Sequence, residues 1–187
     1  MPSGTPLPDA AALEQAVQQY QAELLRYASG ILGNRADAED AVQTAFLKAW
    51  RNRGRLRPDT RLRPLLYRIT YRTALDMLRA AKRPDDVEPA VSAASDPDLQ
   101  LDVQAALAAL PPLDRALVWG QVVEGMSYRE LSAIHGRPES YLRNRCCRAK
   151  RRLAVLLDAN TIDTEGGSQL DTLFTMTPRL MRACVPN

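Results

Sequence analysis

From Ala10 to Leu32 the apolar residues Leu13, Val17, Tyr20, Leu24, Ala28 and Ile31 return every three to four positions, the period of one helix face. Gly33 breaks the pattern where a left-handed residue would end a helix. Asn34 can cap a second helix, whose stripe is Ala38, Ala41, Val42, Ala45, Phe46 and Ala49. Asp37, Glu39 and Asp40 fall in its first turns, where the helix dipole favours carboxylates. Phe46 and Trp50 read as core residues of this helix. A third helix follows, with Pro64 in its first turn and Leu65, Leu66, Ile69, Leu75 and Leu78 as its inner face. Arg68, Tyr71, Arg72 and Arg79 are left for its outside.

The same period returns after a gap. A helix from about Asp98 to Leu110 would bury Val103, Ala106, Leu107 and Leu110 before Pro111 and Pro112 stop it. Another runs from about Leu113 to Glu124 and ends at Gly125. Ser127 and Glu130 then have the S-x-x-E spacing of a capping box, followed by a short apolar-patterned segment and a turn at Gly136. From Pro138 to Leu157 the stripe Leu142, Cys146, Ala149, Leu153 and Leu156 faces one way while Arg145, Arg148 and Arg152 face the other. Helix, turn and basic helix is the arrangement of a major-groove reader, since an α-helix fits that groove and its N-terminal side chains reach base edges. Beyond Leu157 the period fades, so 158–169 reads as a loop, with one short amphipathic turn around Leu170, Leu173, Phe174 and Met176. Neither strand alternation nor an internal repeat is present, so the fold class is all-α.

Charge sharpens this picture more than overall composition does. The net charge is only +3, which by itself names no partner, but the charges are arranged in blocks. Between Lys48 and Arg83 basic residues crowd against only Asp59 and Asp76, whereas 84–114 holds acids and neither Lys nor Arg. Two basic blocks framing an acidic one predict two separate anion-binding surfaces. The division expected is a disordered arm over 1–9, a helical domain over 10–83, an acidic flexible linker over 84–98, a helix-turn-helix domain over 99–157 and an extension over 158–187. In the first domain the loop from Arg51 to Arg63, with Gly54, Pro58 and repeated arginines, must stay at the surface. That loop, feeding a basic helix with Tyr67 and Tyr71, suits nucleic acid whose bases are stacked or splayed. A solvated arginine-rich surface is its bland alternative.

Cysteine usage points to a reducing compartment. Neighbouring side chains on a helix diverge, so Cys146 and Cys147 cannot readily pair, and Cys184 stands alone. There is no apolar run of bilayer-spanning length and no basic-then-apolar leader, so a soluble cytoplasmic protein without membrane insertion is expected. His135, Cys146 and Cys147 invite a metal or thiol-enzyme reading. No second His or acidic ligand lies at zinc spacing and no orienting third group is evident, so neither metal, cofactor nor catalysis is expected.

Three segments in series resemble the extracytoplasmic-function sigma factors, the two-domain branch of the bacterial sigma-70 family. LLRYASGILGNRADAEDAVQTAFLKAW is similar to the opening of their region two, and RLRPLLYRITYRTALDMLRAAKR to their promoter-melting and minus-ten segment. LAALPPLDRALVWGQVVEGMSYRELSAIHGRPESYLRNRCCRAKRRL is similar to their region four. The resemblance implies a subunit that binds core RNA polymerase at its beta-prime clamp and beta flap, recognises minus-ten and minus-thirty-five promoter DNA, helps melt the duplex and answers to an anti-sigma factor. By the same resemblance Asp40, Gln43, Thr44 and Leu47 would meet the polymerase. Arg55, Arg57, Arg61, Arg63 and Leu65, with Arg68, Tyr71, Arg72 and Arg79, would hold the minus-ten strand. Glu139, Ser140, Tyr141, Arg143, Asn144, Arg145 and Arg148 would read the minus-thirty-five element, with Lys150 and the later arginines on phosphate. Leu65, Arg72, Arg137, Tyr141 and Cys146 depart from the family's usual residues. A helix-turn-helix repressor would explain only the C-terminal half, and a sigma mimic that sequesters an anti-sigma factor would have little use for two basic surfaces.

Overall fold

The computed structural model describes residues 10–56, 61–81 and 105–162. The arm over 1–9, Arg57, the linker over 84–98, Cys184 and the tail beyond 162 lie outside the described residues. Every regular element described is helical: α1 (Ala10–Leu32), α2 (Arg35–Arg51), a 3-10 turn (Arg53–Arg55), α3 (Leu62–Ala81), α4 (Pro112–Val122), α5 (Tyr128–His135) and α6 (Glu139–Ile162). A further helical turn spans 105–108. The contacts divide the chain into two compact units, one built on α1, α2 and α3 and the other on α4, most of α5 and α6.

In the first unit Gly33 takes φ 82° and its N–H donates to the Ser29 carbonyl at 2.8 Å, closing α1. Immediately after, the Asn34 side chain accepts from the Asp37 N–H at 2.8 Å and so begins α2. The stripe of α2 is made almost entirely of small residues, Ala38, Ala41, Val42, Ala45 and Ala49, all buried. Small side chains let α1 and α3 approach closely, and the volume is filled from their side by Leu24, Tyr27, Ile31, Leu66 and Tyr67, each at 0% exposure.

α3 is rotated from its expected orientation. Leu65, Ile69, Leu75 and Leu78 are only half-buried, whereas Leu66, Tyr67, Thr70, Thr73 and Ala74 face the core. Threonines read as polar in a pattern, yet they are small enough to pack on the alanine stripe, and the Thr73 hydroxyl accepts from Lys48 Nζ at 3.1 Å. Tyr67 is therefore no stacking platform. Its ring meets Tyr27 edge-on at 4.9 Å and its hydroxyl donates to Glu23 at 3.1 Å. Burial, and then the neighbouring Tyr71 and Tyr67, hold the Tyr27 phenol well above its ordinary pKa.

In the second unit Ala106, Leu107 and Leu110 are buried with Ala116, Leu117 and Val118 of α4. Arg115 ties the two segments, donating to the carbonyls of Leu110 at 3.0 Å and Ala108 at 3.1 Å, and partial burial lowers its pKa from the ordinary arginine value. The capping box forms as the spacing predicts: Ser127 N–H and Oγ donate to Glu130 at 2.9 and 2.8 Å, and Glu130 N–H donates back to Ser127 Oγ at 3.3 Å. Gly136 at φ 65° then makes the turn, which Ser132 Oγ braces by donating to the Arg137 carbonyl at 2.7 Å. α6 seats Leu142, Cys146, Ala149 and Leu153 inward, as its period predicts. Cys146 acts as a small apolar residue whose thiol approaches the Leu117 carbonyl at 3.8 Å. α6 continues to Ile162, five residues past the expected end at Leu157, because neither glycine nor proline interrupts 158–162.

Candidate functional site

On α2, Asp40, Gln43, Thr44 and Leu47 stand at spacings of three and four, on the face opposite the alanine stripe. Asp40 and Gln43 are exposed, Thr44 is half-buried, and Leu47 is 52% exposed. The helix thus turns outward a polar strip around one large apolar side chain. Trp50 corrects its core reading: it is 37% exposed, with the Arg53 guanidinium 4.5 Å above its ring. The Arg53 side chain also donates to the Trp50 carbonyl at 3.0 Å, so the start of the arginine loop is folded back onto the end of α2.

The arginines around α3 do not form one uniform surface. Arg55 and Arg61 are exposed, as are Arg72 and Arg79. Arg61, Leu65, Arg68, Arg72 and Arg79 lie along one stripe, with Leu65 and Arg68 half-buried. Tyr71 is half-buried on the same helix. Arg63 is different. It is anchored on Glu23 of α1 through two hydrogen bonds of 3.1 and 3.0 Å and lies over the Tyr67 ring at 5.2 Å. Glu23 carried no signal in the sequence, since nothing there sets it apart from Glu14 on the same helix and its partner is 40 residues away.

At the start of α6, Glu139, Ser140, Tyr141, Arg143 and Asn144 are all exposed, and Tyr141 presents 40% of its surface. Three of the cationic side chains are restrained in different ways. Arg143 lies 5.3 Å from the Tyr128 ring of α5. Arg145 pairs with Asp114 of α4 and donates to the Tyr141 hydroxyl at 2.9 Å. Burial would lower the Arg145 pKa, but the hydrogen bonds to Asp114 and Tyr141 outweigh it and hold the guanidinium above its ordinary value. Lys150 is a correction: at 3% exposure, with no hydrogen-bond partner for its amine among the described residues, it lies in the interior and is not presented to phosphate. Its position beside Ala149, one turn after Cys146, puts it on the seam side of α6. Arg148 and Arg152 are exposed, and with Asp114, Arg145 and Ala149 they line a cleft of about 260 Å³. Among the described residues no group of three His, Cys, Asp or Glu gathers as a metal site would require.

The sequence matches two family models in series, Sigma-70 region 2 over residues 16–84 and Sigma-70, region 4 over residues 100–153. It is 34% identical over 154 residues to the ECF RNA polymerase sigma factor SigM of Mycobacterium tuberculosis, covering 80% of this chain and 79% of that protein. The chain belongs to the extracytoplasmic-function sigma factors.

A second relative of this sigma factor, the ECF RNA polymerase sigma factor SigE of Mycolicibacterium smegmatis, is 32% identical over 183 residues, covering 87% of this chain and 71% of the relative. Among solved structures, CnrH in complex with the cytosolic domain of CnrY matches with a TM-score of 0.66 and 26% identity over 83% of this chain and 92% of that one. As a sigma factor the chain binds RNA polymerase and promoter DNA and serves transcription initiation. No helix among the described residues is long and apolar enough to cross a membrane.

Proposed function

We propose that the two units divide promoter recognition between them. The outward strip of α2, with Asp40, Gln43, Thr44 and Leu47, docks on the beta-prime clamp of core polymerase, and the second unit engages the beta flap. Leu47 supplies the apolar anchor and Asp40 the charge that steers toward a basic surface. Arg55, Arg57, Arg61, Arg68, Tyr71, Arg72 and Arg79 hold the melted minus-ten strand, with Leu65 at the fork. Extracting a base from the duplex costs a few kcal/mol, which contacts along this stripe must offset. Arg63 acts one step behind, fixing the helix against α1 through Glu23.

The minus-thirty-five element is read by the start of α6, through Glu139, Ser140, Tyr141, Arg143 and Asn144, with Arg148 on phosphate. The observation that carries this reading is the exposure of Glu139, Ser140, Tyr141, Arg143 and Asn144 on a helix pinned by Leu142 and Cys146 and entered from the turn that Gly136 makes and Ser132 braces. The protein works in the cytoplasm with no reaction of its own, and an anti-sigma factor covers the polymerase-binding strip. CnrH, solved in complex with the cytosolic domain of CnrY, supports a protein partner of this kind.

Run-off transcription with purified core polymerase tests the reading. Promoters carrying a suitable pair of elements give transcripts of defined length only when the protein is present. Failure to bind core polymerase or to direct initiation would overturn it.

A further inference from the structure

We infer that Asp114 is a positioning residue for promoter selectivity, and that it acts by holding Arg145 off the DNA and aiming the Tyr141 hydroxyl at a base edge. This deepens the reading of α6 as the minus-thirty-five helix and rests on it. Three side chains make the device. Asp114, in the first turn of α4, pairs with the Arg145 guanidinium across 31 positions of sequence. The side chains are 15% and 28% exposed, so the pair is shielded far better than an ordinary surface ion pair. One guanidinium edge is thereby occupied, and Nη1 donates to the Tyr141 oxygen at 2.9 Å.

The donor inventory decides what Tyr141 can do. A phenol carries one O–H donor and an oxygen that accepts. With that oxygen already accepting from Arg145, the O–H remains to donate, and accepting from a guanidinium strengthens it as a donor. Tyr141 is exposed on the groove-side start of α6, beside Ser140 and Asn144. Its preferred target is a base edge that presents acceptors, such as N7 and O6 of guanine or O4 of thymine, over the donor amino group of cytosine. Arg145, neutralised by Asp114, contributes little to phosphate attraction, and Arg148 carries that role.

The test measures binding of the polymerase holoenzyme to promoters carrying each of the four bases at every minus-thirty-five position, at several salt concentrations. Tyr141→Phe keeps the ring and removes the O–H. It is expected to cut the preference at one base pair by about three- to tenfold and to leave the other positions unchanged. Asp114→Asn touches no base in this scheme, yet it should lower the preference at that same position and steepen the salt slope by about 0.9, because Arg145 is released toward phosphate. In the Tyr141→Phe background, Asp114→Asn should change only the salt slope. Arg145→Lys, which keeps the charge pair but loses the second donor edge, should copy the Tyr141→Phe selectivity without the slope change. Effects of Tyr141→Phe and Asp114→Asn at different positions, or no change in preference from either in folded protein, would overturn the inference. Failure of the underlying reading is distinguishable, since Arg148→Ala would then leave promoter binding and its salt slope untouched.

Discussion

Glu23 and Arg63 are bound to each other by two hydrogen bonds, from Nε and Nη2 of the arginine to one carboxylate oxygen at 3.1 and 3.0 Å, and Tyr67 donates to that same oxygen. One acid on α1 thus holds the beginning of α3. Glu23→Ala would remove the carboxylate oxygen that Arg63 and Tyr67 share. A loss of about 1–2 kcal/mol is expected in chemical denaturation of the first unit. Arg63→Ala should cost a similar amount, and the double variant less than the sum. Additive losses would mean that the pair contributes nothing of its own.

Leu47 gives a test of docking that is separate from folding. It is 52% exposed, so Leu47→Ala should leave the melting temperature nearly unchanged while weakening core-polymerase binding about five- to tenfold. Leu47→Asp should weaken it further. Undiminished affinity, measured by titration against labelled core enzyme, would remove this residue from the interface.

Lys150 is expected to behave oppositely to a DNA-binding lysine. A buried amine with no hydrogen-bond partner among the described residues is a standing cost, so Lys150→Met should stabilise the second unit by about 1–3 kcal/mol. The salt slope of promoter binding should not change. A shallower slope by about 0.9 would instead place the ammonium on phosphate.

Tyr27 predicts the alkaline limb of stability. Below pH 10 its phenol is protonated whether the chain is folded or unfolded, and the contribution is fully present. Above pH 10 the unfolded chain loses the proton while the buried phenol keeps it, so stability falls as pH rises toward the elevated folded pKa. The expected slope from this one group is about 1.4 kcal/mol per pH unit. Tyr27→Phe should flatten the curve by that amount, measured by denaturant unfolding between pH 9 and 11 (roughly one unit either side of the ordinary tyrosine value).

Local chemistry was legible in the sequence wherever it rests on neighbours. Gly33 with Asn34, Ser127 with Glu130, and Gly136 each announced a helix end, and each has the geometry its residue type requires. The seam of α6 could be read down to Cys146, because its period is undisturbed. What escaped depends on partners far along the chain. Thr70 and Thr73 are core because α2 offers alanines to pack on, Tyr67 is core because Tyr27 and Glu23 receive it, and no periodicity announces either fact. For the candidate site, exposure and stripe placement of the α2 and α6 residues followed from helix geometry alone. The restraints did not: Asp114 and Glu23 look like ordinary helix-surface acids until α4 meets α6 and α1 meets α3.

Unbroken from Glu139 to Ile162, α6 is a strut of 24 residues, about 36 Å from end to end. Its first two turns carry the exposed polar residues and are themselves bolted to the second unit by Leu142 and Cys146, with Leu153 fixing the middle. A strut clamped at its reading end does not pivot there. The layout of its exposed side chains is therefore set by the packing of the second unit before any partner arrives.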